Sequence, residues 1–151
     1  MRRTIIGCLA ALLFSIVAVA AASDVADAVM NRDDNTLRTL LQQKADVNAA
    51  QTDGTTALQW AVRHDDLSTV DQLIRAGADV NAANRDGATA MYLACINGDA
   101  TMVDKLLKAG VDANSTFLMH KETPLMEAAR TGNVAVVRLL LDRASCTAPA
   151  W

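Results

Sequence analysis

A hydrophobic triplet with helical spacing recurs four times in this chain at a nearly constant interval. Leu37-Leu40-Leu41 returns as Val70-Leu73-Ile74, then Val103-Leu106-Leu107, then Val137-Leu140-Leu141, in steps of 33, 33 and 34 residues. Members at i, i+3 and i+4 share one face of a helix. A fixed period of this length marks an array of supersecondary units, each of which buries its apolar face only by stacking on its neighbours. Arrays of this kind present surfaces and carry little chemistry of their own, so the period constrains function as well as fold.

A second set of segments lies between the triplets: Thr56-Ala57-Leu58-Gln59-Trp60-Ala61, Thr89-Ala90-Met91-Tyr92-Leu93-Ala94 and Thr123-Pro124-Leu125-Met126-Glu127-Ala128. Asp53-Gly54 and Asp86-Gly87 stand upstream of the first two. Lys44-Ala45-Asp46-Val47-Asn48, Ala76-Gly77-Ala78-Asp79-Val80-Asn81 and Ala109-Gly110-Val111-Asp112-Ala113-Asn114 close the units. In order and spacing these segments resemble the T-P-L-H-x-A core, turn dipeptide and G-A-D-V-N segment of the ankyrin repeat, from Ser23 to about Ser145. The resemblance implies an all-α repeat fold, an ankyrin solenoid of helix-turn-helix units joined by β-hairpin loops. Units are expected at about 23–52, 53–85, 86–119 and 120–145, with 146–151 as a C-terminal tail.

Each motif has a local reason. Thr56, Thr89 and Thr123 can cap the helix that follows by accepting from free backbone N–H groups, and Pro124 suits a first helical turn. Gly77 and Gly110 can end the second helix in the left-handed region. Asp53-Gly54 and Asp86-Gly87 are expected to supply the positive φ angles of a tight hairpin turn. Ala61, Ala94 and Ala128 let neighbouring helices approach. Gln59, Tyr92 and Met126 replace the family's histidine, which is expected to weaken its threonine–histidine network. Asp65 and Arg32 stand where Gly98 and Gly132 occupy the turn between helices. Before Glu122 the loop is one residue longer and His120-Lys121 replaces Asp-Gly, so 115–121 should be the least regular hairpin.

The chain opens with Met1-Arg2-Arg3 and then has no charged residue from Ile5 to Ala22. Small residues at Ala20 and Ala22 fit a secretory cleavage pattern, so residues 1–22 read as a signal peptide and the location as periplasmic or secreted. The rival reading is an uncleaved membrane anchor through residues 5–22, since about 18 apolar residues can just span a bilayer. Cys8 comes too early in the apolar run to resemble a lipoprotein processing site. Loss of Arg2 and Arg3 would deepen the formal charge from −3 to −5, which argues against nucleic acid and against anionic lipid. No stable membrane association is expected once the signal is removed.

Candidate chemistry is sparse. His64 and His120 are the two histidines, and neither has a second ligand at metal spacing. A His64–Asp66 pair could be imagined as a base with its orienting acid, but no serine or cysteine accompanies it, and an exposed turn explains it better. There is no glycine-rich phosphate loop. Cys95 lies in an apolar stripe and reads as a small hydrophobe, not as a partner for Cys146. Asn114-Ser115-Thr116 matches a glycosylation acceptor that matters only in a eukaryotic secretory route. No catalysis, no cofactor and no metal are expected.

The resemblance implies binding of another protein through the hairpin tips and the concave face of the first helices. Carried across residue by residue, it selects Thr52, Asp53, Thr55, Arg63 and His64 in one unit. It selects Arg85, Asp86, Ala88, Ile96 and Asn97 in the next, and Met119, His120, Glu122, Arg130 and Thr131 in the last. Trp60 is expected to be partly buried between units, and Met91, Met102 and Met126 to pack among helices, with Met119 exposed. Leu139, Leu140 and Leu141 would leave the last stacking face partly uncovered, to be closed by Trp151 folding back, by a partner or, the favoured expectation, by further chain, as in the N-terminal part of a longer ankyrin protein. The favoured function is an exported interaction module or scaffold. The alternative is the N-terminal targeting arm of a longer enzyme or transporter component.

Overall fold

The computed structural model describes residues 23–146 apart from 115 and 118–120, with side chains as far as Arg143. Eight α-helices follow one another in pairs among the described residues: α1 (Asp24–Met30), α2 (Asp34–Gln42), α3 (Ala57–Arg63), α4 (Leu67–Arg75), α5 (Ala90–Asn97), α6 (Ala100–Lys108), α7 (Pro124–Thr131) and α8 (Val134–Cys146). Each pair is one repeat unit. The first helices form a continuous row, α1 against α3, α3 against α5, α5 against α7, whereas the second helices meet less closely, α6 and α8 more than the other neighbouring pairs. The reason is side-chain size: Ala28, Ala61, Ala94 and Ala128 occupy the same place in successive first helices and all are buried. Small residues there let the first helices close up while the leucine-rich second helices stay apart, which curves the stack toward the first-helix side.

The recurring triplets form the spine of the core. Leu37, Val70, Leu73, Val103, Leu106 and Leu140 are buried, together with Leu58, Met91 and Met102. Helix starts are set by side chains accepting from the backbone. Thr56, Thr89 and Thr123 accept from the N–H of Gln59, Tyr92 and Met126 at the starts of α3, α5 and α7, as expected, and Pro124 opens α7. A second cap series was not foreseen: Asp33, Asp66, Asp99 and Asn133 perform the same task for α2, α4, α6 and α8. Ser23 precedes α1 but its hydroxyl donates to Asp27 instead of capping.

The turn inside every unit demands one left-handed residue. Gly98 (φ +72°) and Gly132 (+73°) adopt it freely, while Arg32 (+56°) and Asp65 (+59°) adopt it against their Cβ.

The hairpins depart from the expected geometry. Asp53 and Asp86 are not left-handed; only Gly54 and Gly87 are, at +85° and +78°. Gln51 N–H donates to Thr55 C=O and Gly54 N–H to Gln51 C=O, a three-residue loop whose final glycine is left-handed; Asn84–Ala88 repeats it. Asp53 instead accepts from the Thr55 backbone and hydroxyl. Gly54 is needed twice over, since a Cβ there would also lie 3.1 Å from the Arg85 nitrogen, where successive hairpins join through Arg85 N–H and Asp53 C=O. The third hairpin is wider by one residue. Phe117 N–H donates to Glu122 C=O, and Lys121 (φ +52°) takes the glycine's place.

Candidate protein-binding surface

The repeat places equivalent side chains in rows along the concave side. Met30, Arg63, Ile96 and Arg130 occupy one position on α1, α3, α5 and α7, and all four are exposed. Four residues after each helix cap or its equivalent lies a second, deeper row: Asp27, Trp60, Leu93 and Glu127. The row of exposed residues alternates apolar and basic. Met30 and Ile96 are 36% and 41% exposed, the large hydrophobic side chains most open to solvent among the described residues before α7.

Trp60 is the best-held residue on this face. Its indole Nε1–H donates to Gln51 Oε1 at 2.7 Å, and Gln51 Nε2 in turn donates to Asp27 and touches the Met30 sulfur. The Arg63 guanidinium lies over the indole ring, 5.4 Å from its centroid, a cation–π contact. The His64 ring stacks on the same indole at 5.8 Å. Arg32 Nη2 stands 3.2 Å from His64 Nδ1; a guanidinium only donates, so Nδ1 accepts and the ring proton sits on Nε2, facing the Met30 carbonyl at 3.3 Å.

At the next unit Tyr92 meets Phe117 edge-to-face. In the last, Arg130 clamps the fully buried carboxylate of Glu127 with two N–H donors, and that bond raises the guanidinium's pKa further.

A family model described as ankyrin repeats (3 copies) matches the chain twice, over residues 25–117 and 62–149. The chain belongs to the ankyrin repeat family. A search of curated proteins found no match. Ankyrin repeats are generally protein-interaction modules, which fits an ordered face rich in tryptophan and arginine, the residues that dominate interface energetics.

Against that background the ankyrin-derived residues fall into three groups. Thr52, Asp53, Arg85 and Asp86 are exposed at neighbouring hairpin tips, and Arg63, Ile96 and Arg130 share the concave row. A second group is engaged internally. Thr55 is buried, its hydroxyl donating to Asp53 at 2.8 Å and holding that carboxyl below the ordinary carboxylate value, with the Thr55 N–H the larger cause. Ala88 is half-buried, its carbonyl taken by Gln59 and Asn84. Asn97 is exposed, but its Nδ2 donates to the Val62 carbonyl of the preceding unit, as His64 turns to Met30. Thr131 donates to Ala128 C=O in its own helix, and Glu122 is half-buried in the wide hairpin. Met119 and His120 lie outside the described residues.

Two expectations need correction. Gln59 does not weaken the inter-unit network; it carries it. Its Oε1 accepts from Thr56 N–H, and its Nε2 donates to the carbonyls of Ala82 and Ala88 in the following hairpin at 2.9 and 2.8 Å. Met126, at the equivalent place in α7, is 59% exposed and does not pack. Met91 and Met102 do. Met30 was missed, although subtracting one period of 33 from Arg63 would have found it. Gln51 had no signal, because its partners Asp27, Met30 and Trp60 are assembled only by stacking.

Proposed function

We propose that the protein is an exported interaction scaffold that holds another protein on its concave face and carries out no catalysis itself. The observation that carries this is the alternating exposed row Met30–Arg63–Ile96–Arg130 set beside a tryptophan fixed by hydrogen bonds. Ordered aromatic and arginine side chains on a rigid surface bind at low entropic cost. Two of the groups suited to chemistry are engaged elsewhere. The Cys95 thiol is buried and pushed up to about 12, first by loss of solvent and then by the nearby Glu127 charge. Arg32 Nη2 lies 3.2 Å from His64 Nδ1.

The partner is a protein and not nucleic acid, since acidic side chains outnumber basic ones 17 to 14. No helix among the described residues is long and apolar enough to cross a membrane. Export rests on the charge-free run that follows Arg3. Intact mass from separated soluble and membrane fractions tests cleavage and release: a soluble species starting at Ser23 supports them, and a membrane-bound species retaining residues 5–22 refutes them in favour of an anchor.

For the surface, Arg63→Glu combined with Ile96→Asp should leave the helical circular dichroism unchanged and reduce capture of the natural partner. Undiminished capture would remove the concave face from consideration.

A further inference from the structure

We infer that the concave face takes an extended, polyproline-II-like segment carrying one acidic residue between two apolar ones, at three-residue spacing. The inference rests on the reading of this face as the binding surface and specifies what lies on it. Met30, Arg63 and Ile96 occupy equivalent places on α1, α3 and α5, helices that stack side by side. Packed helices lie about 8–10 Å apart axis to axis, so the exposed groups read apolar, basic, apolar at steps of that size. A polyproline II helix has three residues per turn and rises about 3.1 Å per residue, so it presents the same face every 9 Å or so. Residues i, i+3 and i+6 of such a segment meet three consecutive units in register. A β-strand alternates faces at every residue, so its residue i+3 would point away.

The electrostatics select the middle residue. Arg63 makes no salt bridge among the described residues, whereas Arg130 is committed to Glu127 and Arg143 to Asp104. Its ring contact with Trp60 covers one face of the guanidinium and leaves the N–H edge, which suits a carboxylate. Asp24 and Asp27 flank the Met30 end, while beyond Ile96 the buried Glu127 is neutralised by Arg130. A single carboxylate at the centre therefore matches the arginine that has no ion pair, while further carboxylates toward the Met30 end are repelled. Trp60, held by Gln51, lies under the Arg63 guanidinium and steadies the central residue.

The test uses the full chain and fluorescein-labelled peptides of equal length, read by fluorescence anisotropy. One peptide carries leucine, glutamate and leucine at i, i+3 and i+6 among prolines and serines. A second places them at i, i+7 and i+14 in a helix-forming background, and a third replaces the glutamate with lysine. The first should bind most tightly. Arg63→Glu should weaken it by roughly tenfold or more, the scale of a close interfacial charge pair, and should turn preference toward the lysine peptide. Tighter binding of the helical peptide, or no difference between glutamate and lysine, overturns the inference while dependence on Arg63 and Ile96 keeps the concave face as the site. Failure of the three-residue peptide to bind overturns it as well. Peptide binding indifferent to both Arg63→Glu and Ile96→Asp overturns the surface itself.

Discussion

Replacing Gln59 with leucine would separate the hydrogen-bonding role of this position from its place in a helix. The side chain is 1% exposed, and leucine preserves most of its volume, so packing is nearly conserved. Two backbone partners are stranded, the Thr56 N–H and the Ala82 carbonyl, while the Ala88 carbonyl keeps the Asn84 N–H. A buried group left unpaired costs about 1–3 kcal/mol. Thr56 is buried, while Ala82 is half-buried and partly regains solvent. The sum is then roughly 1–4 kcal/mol, a large share of the 5–15 kcal/mol by which domains are typically stable. With a urea slope of about 1–3 kcal/mol per molar, the midpoint should fall by about 0.5–2 M when followed by circular dichroism. Met126→Leu is the control at the same register position; exposed, and with no side-chain hydrogen bond, it should shift the midpoint negligibly. If Gln59→Leu also shifts it negligibly, the inter-hairpin network contributes little and the stack is held by apolar contact alone.

Three further outcomes are expected. Leu106→Ala empties a fully buried site in the apolar spine and should cost about 2–5 kcal/mol; a thermal midpoint that barely moves would contradict the placement of α6 in the core. Asp65 is strained at φ +59°, and its carboxyl is raised above 3.8 by loss of solvent and by the facing Asp99. A raised acid favours the fold most below its unfolded value, and that contribution disappears as pH climbs through the raised folded value. The gain from Asp65→Asn should therefore grow from pH 3 to pH 7, and a gap in urea midpoint independent of pH would refute the Asp65–Asp99 repulsion. Cys95 should resist alkylation at pH 8 in the folded protein and react on unfolding, followed by mass of the Cys95 peptide; equal rates in both states would contradict its burial.

The chain's local chemistry determined its helix pairs and its threonine caps. Each rests on interactions within a few residues: an i, i+3, i+4 stripe, a hydroxyl reaching the third N–H, a glycine free to turn left-handed. Such terms repeat every 33 residues and are legible one unit at a time. The site was only partly legible for the complementary reason. Arg63, Ile96 and Arg130 could be found by register, and so could Met30. Whether a polar side chain on that surface is available depends on the unit stacked against it. Asn97 is tied to Val62 and His64 to Met30, whereas Arg63 makes no salt bridge among the described residues. Gln59 and Met126 stand at the same position of the motif. One is buried beneath the next hairpin and joins two units, and the other is exposed. Tertiary stacking alone decided between those fates, because a hydrogen bond across units needs a carbonyl some 23 or 29 residues away to be carried into reach by the fold.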